Sequence, residues 1–341
     1  MKHLFYIHSY VTYLVALGVI EHRKIDDDDV VMLFARGNIP QSRFLFVNID
    51  TEFPGLWGLP AYGNRFLYIK KRREIKKLDS LIQKMCKGDY ICYLPTDSHY
   101  LQQLLGTHKS CARVDYIEEG LFSYNDEFHK KVLPFHGKFS RIKRYFNTGY
   151  RNINPLYVEQ NAILYTLFDK KYYSGSFKKE CVMPNLKNLQ YSGITLRNSS
   201  LLIMNAFRDA QENVVGEVLS VLNRFAVDCK QLNKKVYIKH HPYASKSFMN
   251  QVENIFRKND IVCNVLDNSV NTELLLFNST GINIYGFFSA AMMYGGLFGH
   301  KSYSFIEGFK SSSVDCVNYL NNNFHIPEIF FKIVKPYNYV N

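Results

Sequence analysis

No Cys-x-x-Cys pair occurs in the chain, and its seven cysteines (Cys86, Cys92, Cys111, Cys181, Cys229, Cys263 and Cys316) are odd in number and scattered. That spacing argues against a secreted disulfide framework and against a cysteine-rich zinc site; the expected state is small buried hydrophobes in a reducing compartment. A single Trp speaks against an aromatic carbohydrate-binding module. Ten Pro and 19 Gly in 341 residues exclude a collagen-like or linker-dominated chain. Also missing is an unbroken apolar run of about 20 residues, the length that spans a bilayer. The most apolar stretch, residues 4–20, is interrupted by His8, Ser9 and Thr12 and runs into Glu21-His22-Arg23. It has no small-x-small cleavage site and reads as neither signal peptide nor anchor. Acid is short too: 30 Asp plus Glu against 42 Lys plus Arg leaves a formal charge of +12. Such a surplus points to an anionic partner: nucleic acid, an acidic membrane surface, or a phosphorylated or sugar-acid substrate. No helix-turn-helix, finger or single-strand aromatic motif supports nucleic acid. The expectation is a cytoplasmic protein with peripheral contact at the inner membrane.

What is present is core material: 47% of residues are hydrophobic and 15% aromatic. At about 150 residues per domain the length suggests two domains. Short apolar runs at 4–7, 30–35, 43–47, 90–94 and 112–117 read as strands, alternating with helical stretches at 10–17, 74–85 and 99–105. After a polar stretch at 184–199 the pattern restarts. Strands are expected at 201–204, 235–239, 261–265 and 281–285, and helices at 215–225, 248–257 and 272–277 and from Ser289. Alternation of this kind predicts α/β architecture, with two doubly wound, Rossmann-like parallel units. The expected division is 1–185, 186–320, and a tail at 321–341 returning to the first domain.

Several short motifs fall where such sheets bind ligands. Glu118-Glu119-Gly120 follows the strand at 112–117, and Gly120 permits a turn with positive φ that leaves a carboxylate facing a cleft. A carboxylate there suits a general base. His240-His241-Pro242 follows the strand at 235–239, and Pro242 holds His241 in extended geometry over the same crevice, where an imidazole can donate to a phosphate oxygen. Gly286 ends a strand, and Ser289 stands at a helix N-cap, a phosphate-friendly position. Glu273 lies in a first helical turn, in reach of ribose hydroxyls. The run Asp26-Asp27-Asp28-Asp29 reads as a solvated turn before a buried strand, with metal binding as the alternative. Two basic runs remain: Lys70-Lys71-Arg72-Arg73 with Lys76-Lys77, and His129 to Arg151, the latter interleaved with Phe128, Phe135, Phe139, Tyr145 and Phe146. Each reads either as a solvated face or as a contact with anionic lipid or acceptor.

Taken in order, acid-acid-Gly, His-Pro, Glu273-Leu274-Leu275 and the Ser289 turn resemble bacterial sialyltransferases. The resemblance is nearest to the lipooligosaccharide sialyltransferase group (glycosyltransferase family 52), with related motifs in the polysialyltransferases. The opening, Leu4-Phe5-Tyr6-Ile7-His8-Ser9, is similar to that group's start. The resemblance implies a GT-B fold with a cleft between two domains, CMP-sialic acid as donor, inversion, no metal and no cofactor. The implied acceptor is a glycan or glycolipid: a terminal sugar, galactose above all, of lipooligosaccharide, O antigen or capsule. It assigns Glu118 as base with Glu119 and Gly120 completing the motif, His241 with Pro242 to the CMP phosphate, Ser289 to the phosphate, Glu273 to the ribose and Ser9 to substrate binding. Which of Glu118 and Glu119 is the base stays open. The competing reading within enzymes is another CMP- or CDP-donor transferase, acting as a polysialyl, Kdo or polyol-phosphate transferase.

Overall fold

The computed structural model describes residues 1–37, 42–56, 59, 67–95, 99–124, 142, 145–151, 162–168, 178–185, 193–207, 210–231, 235–323 and 326–339. The chain divides into two compact units, Met1–Gln190 and Tyr191–Asn341.

In the first unit β1 (Lys2–Ile7), β2 (Val30–Phe34), β3 (Leu45–Asn48), β4 (Tyr90–Leu94), β5 (Cys111–Ile117), β6 (Ile163–Thr166) and β7 (Lys178–Cys181) form one sheet. Its order is β3-β2-β1-β4-β5-β6-β7, and every pair is parallel. β2 and β4 are buried at every position, because a parallel sheet is covered on both faces and its central strands must be apolar throughout. Among the described residues its helices include α1 (Tyr10–Arg23), α2 (Ile49–Glu52), α3 (Leu67–Cys86) and α4 (Tyr100–Gly106). α1 starts at Ser9, whose Oγ accepts from the Thr12 N–H at 3.2 Å, while Thr12 Oγ1 accepts the Ser9 N–H at 3.1 Å. This reciprocal cap fixes where β1 turns into helix. α1 ends at Lys24 in the left-handed region, after the basic last turn His22-Arg23. α3 buries Ile75, Leu78, Ile82 and Met85, spaced three and four apart, against the sheet and leaves its other faces to solvent.

The buried heart of this unit is polar on one side. Asp115, fully buried on β5, accepts from the Arg113 guanidinium and from the Ile163 N–H at 3.0 Å, and lies 3.6 Å from Arg23 of α1. Arg23 in turn donates to the Tyr93 and Tyr165 hydroxyls at 3.2 and 3.3 Å, and Tyr93 meets His3 Nδ1 at 2.9 Å. One carboxylate thus ties β5, β6 and α1 together. Burial nonetheless pushes the Asp115 carboxyl up, against the pull of both arginines.

The second unit repeats the plan. β8 (Ser200–Ile203), β9 (Val236–Lys239), β10 (Cys263–Val265), β11 (Asn283–Gly286), β12 (Lys301–Ser304) and β13 (Lys335–Pro336) run in the order β10-β9-β8-β11-β12-β13, again all parallel. The helices are α5 (Glu212–Gln231), α6 (Lys246–Lys258), α7 (Thr272–Phe277), α8 (Ala290–Leu297), α9 (Ile306–Lys310), α10 (Val314–Asn323) and α11 (Glu328–Ile333). An aromatic core of Phe225, Tyr285, Phe305 and Tyr337 closes it, and the Tyr337 hydroxyl donates to buried Asp228 at 2.7 Å.

The α/β expectation of two Rossmann-like units holds, and two such units in one chain are the composition of the GT-B class. Several details differ. β6 and β7 extend the first sheet beyond the strands read from the sequence. α1 and α3 are longer, running to Arg23 and starting at Leu67. The tail does not return to the first unit: β13 pairs with β12, and Tyr337 packs into the second core. Thr96 and Ser98, polar residues of the kind that cap a helix, precede α4 but lie outside the described residues; at the helix start Gln102 accepts the His99 N–H at 3.3 Å.

His3 supplies a test of the buried polar cluster. Burial, reinforced by Arg23, lowers its pKa from 6.5 to about 4, so it stays neutral in the folded chain. Below 6.5 the unfolded chain takes up the proton first, and stability falls as pH drops from 6.5 toward about 4. His3→Gln is expected to flatten this part of the urea-midpoint profile; an unchanged slope would contradict the assignment.

Candidate active site

In the first unit the strand order reverses between β1 and β4, so ligand chemistry is expected just beyond the carboxyl ends of β1, β4 and β5. Past β5, Glu118 continues the ladder by one bond, its N–H donating to Tyr165 O at 3.0 Å. Side chains alternate along extended backbone, so Glu118 and Glu119 face opposite ways. Glu118 points inward: it is 0% exposed, and its Oε2 accepts from the Tyr124 hydroxyl at 2.5 Å and from the Leu167 N–H at 2.7 Å. Glu119 points outward, its side chain 16% exposed, with Oε2 3.2 Å from His8 Nε2. Gly120 then turns with φ +131, and Ser123 Oγ accepts the Glu119 N–H at 2.9 Å, fixing the turn. The positive φ expected of Gly120 is therefore present.

His8 follows β1, buried beside Glu119, and Ser9 is committed to capping α1. Two further groups act on the same spot. The His99 imidazole, just before α4, has its pKa lowered by burial and by Arg36, while Glu119 pulls it up and His8 pushes it down. Arg36, just past β2, holds a left-handed φ of +59, uncommon outside glycine. His8, His99 and Arg36 were not singled out in the sequence. The available signal was position, since His8 and Arg36 follow strand ends and His99 precedes a helix.

The second unit reverses between β8 and β11. Past β9 the two histidines split as the two glutamates do. His240 is buried 3.3 Å from the Glu253 carboxylate, and burial lowers its pKa against that carboxylate's pull. His241 is exposed; its Nδ1 accepts the Tyr243 N–H at 3.2 Å and its carbonyl accepts the Ala244 N–H at 2.9 Å. His241, Pro242, Tyr243 and Ala244 thus form a turn with proline in its favoured second position. That geometry leaves His241 Nε2 directed away from the turn's own bonds.

Ser289 caps α8, its Oγ accepting from the Ala291 N–H at 3.2 Å. Asn205, past β8, places this cap: its Nδ2 donates to Phe288 O at 2.8 Å. Asn205 was not flagged in the sequence either. Gly286 serves close approach rather than positive φ, since a Cβ there would meet Ile203 O at 2.6 Å. Lys239 donates to Asp267 O at 2.6 Å, joining the β9 end to the loop before α7; burial lowers its pKa, with Asp267 and then Glu273 raising it. Glu273, in the first turn of α7, has its carboxyl pKa raised by burial.

The structure therefore groups Ser9, Glu118, Glu119 and Gly120 in the first unit and His241, Pro242, Glu273 and Ser289 in the second. The acidic run at 26–29 forms a single 3-10 turn paired outward: Asp29 with Lys2 at 3.3 Å and Asp27 with Arg43 at 2.7 Å. Among the described residues no three His, Cys, Asp or Glu side chains gather as a metal site.

The family profile of alpha-2,8-polysialyltransferase (POLYST) matches residues 3–304. No curated protein matches the chain. Solved structures with similar backbones include the UDP-GlcNAc 2-epimerase of Methanocaldococcus jannaschii, at 10% identity and TM-score 0.46, covering 96% of this chain and 95% of that one. The Acinetobacter baumannii MurG gives 10% and 0.39, covering 97% and 89%. The Escherichia coli heptosyltransferase WaaC gives 9% and 0.41, covering 89% and 88%.

The two glutamates should separate in stability. Glu118→Ala strands the Leu167 N–H and the Tyr124 hydroxyl and is expected to cost about 2–4 kcal/mol in urea unfolding. Glu119→Ala, which takes one partner from the buried His8 imidazole, should cost less, about 1 kcal/mol. Equal losses would contradict the distinction.

Proposed function

The chain belongs to the alpha-2,8-polysialyltransferase family, and from that premise we propose that it transfers a sialyl group from CMP-sialic acid to the terminal sugar of a bacterial surface glycan, with inversion at the anomeric carbon. The single observation that carries the catalytic assignment is the Glu119 carboxylate, partly exposed past β5 and held at 3.2 Å by His8. Glu119, rather than the buried Glu118, is the proposed base.

In the proposed reaction the acceptor hydroxyl oxygen attacks the anomeric carbon and its proton passes to Glu119. The bond from that carbon to the phosphate oxygen breaks, and CMP leaves with the electron pair. His8 steadies the carboxylate by donating from Nε2. Charge then grows on the departing phosphate. His241 Nε2, the Ser289 hydroxyl and the positive dipole end of α8 are the groups suited to meet it. Glu273 is proposed to bind the ribose hydroxyls and Gly120 to clear space beside the base. CMP leaves as a phosphate monoester, a fair leaving group, so these donors suffice without a metal in this scheme.

The family's description favours a sialyl-terminated acceptor extended in alpha-2,8 linkage. The motifs' likeness to lipooligosaccharide sialyltransferases favours galactose ends instead. An acceptor panel of lactose-type and sialyl-terminated oligosaccharides with labelled CMP-sialic acid decides: product on sialyl ends alone supports the first and on lactose alone the second.

Glu119→Gln is expected to lower transfer by about 10²–10⁴-fold. His241→Ala should lower it by about 10²–10³-fold. Chelator treatment should leave turnover unchanged. Near-normal transfer by Glu119→Gln, or loss on chelation that added metal restores, would count against the mechanism.

A further inference from the structure

Residues 145–151, the end of the second basic run, pack against the helix that carries the first. On α3 the side chains of Lys70, Arg73, Lys76, Lys77 and Lys84 are exposed, and their spacing of three, four and seven puts them on one face of the helix. The acids of α3 nearest them are engaged elsewhere: Glu74 lies 3.5 Å from Lys71, and Asp79 pairs with Arg151. The cationic face thus runs about 20 Å along the helix, with Glu74, paired to Lys71, as the α3 carboxylate beside it.

The segment 145–151 is pinned along the flank of that helix. Arg151 bonds Asp79 and donates to Leu104 O at 2.7 Å, the Tyr100 hydroxyl donates to Asn147 O, and Tyr68 of α3 meets Tyr150 edge-on at 5.8 Å. Tyr145, Phe146 and Tyr150 contact one another edge-on at 5.5–5.8 Å. Packed rings normally hide in a core, yet Phe146 is 41% and Tyr150 53% exposed, with Ile69 of α3 64% exposed nearby in sequence to Tyr68. Within the longer basic run, residues 125–141, 143 and 144 lie outside the described residues.

We propose that this face docks on an anionic lipid surface, with the α3 cations over headgroup phosphates and Phe146, Tyr150 and Ile69 in the interfacial layer. The pairing of charge with rings selects the occupant. A soluble polyanion neutralises lysines but leaves aromatic and aliphatic surface in water. A bilayer interface takes both, since aromatic rings settle at headgroup depth and nearby Lys and Arg are drawn to anionic headgroups. No helix among the described residues is long and apolar enough to cross a membrane, so this contact is of the surface-lying kind. The inference does not depend on the catalytic assignment.

Co-sedimentation of the full chain with vesicles of phosphatidylcholine alone, and of equal parts phosphatidylcholine and phosphatidylglycerol, tests it. The chain should pellet with the anionic vesicles only, and less as salt rises. The triple variant Lys70→Glu, Arg73→Glu, Lys77→Glu should weaken this about a hundredfold or more. Phe146→Ser with Tyr150→Ser should weaken it about tenfold, reflecting lost apolar burial. Turnover on a soluble acceptor should be unchanged in both. A readout needing no variant is lysine acetylation of the parent chain, with Lys70, Lys76 and Lys77 protected on anionic vesicles. Absence of that protection would overturn the proposal. So would binding that ignores the ring substitutions and is fully displaced by a soluble anionic polysaccharide, an outcome that assigns the face to a glycan.

Discussion

Parallel pairing of every strand is the constraint on which the functional geometry rests. Within each unit all strands point the same way, so each strand's carboxyl end, and the turn that leaves it, falls on one edge of the sheet. His8, Arg36 and Glu119 occupy such turns in the first unit, and Asn205, His241 and Ser289 in the second. Residues up to 111 positions apart, such as His8 and Glu119, can meet because the sheet order places β1 and β5 on either side of β4. An antiparallel sheet would send half of these turns to the opposite edge.

A second regularity follows from extended backbone. In both units two like residues stand side by side past a strand, and alternation sends one inward and one outward. Glu118 satisfies buried donors while Glu119 faces solvent and His8; His240 sits by Glu253 while His241 is exposed. The inward member anchors the turn that presents the outward one. The inward member finds its partners within the fold, whereas the outward side chain reaches solvent.

Much of this was legible in the amino-acid pattern, for reasons that differ by element. β1, β2, β4 and β9 announce themselves because strands buried on both faces are short apolar runs. β7 does not, since Lys178–Cys181 is a charged, half-exposed edge strand, and the two-residue β13 carries no periodicity at all. The paired motifs at Glu118-Glu119 and His240-His241 were visible as motifs, but the division of labour within each pair was not. It depends on Leu167 and Tyr124 for one and on Glu253 for the other, partners fixed by the fold. His8 was read as a polar break in an apolar stretch and as part of the opening motif, but not as a partner of Glu119, because nothing local connects the two. The runs at 70–77 and 129–151 read as separate segments, because nothing local shows that Tyr150 and Arg151 pack on α3.

The central claim is that substrate chemistry takes place at these two carboxyl edges. Amide hydrogen exchange of the whole chain, with CMP and then with CMP plus acceptor, tests it most directly. The account predicts slowed exchange with CMP at residues 204–207, 240–244 and 287–292, and further slowing at 118–123 once the acceptor is added. Protection confined to other segments, or no change at 240–244 and 287–292 under saturating CMP, would contradict it.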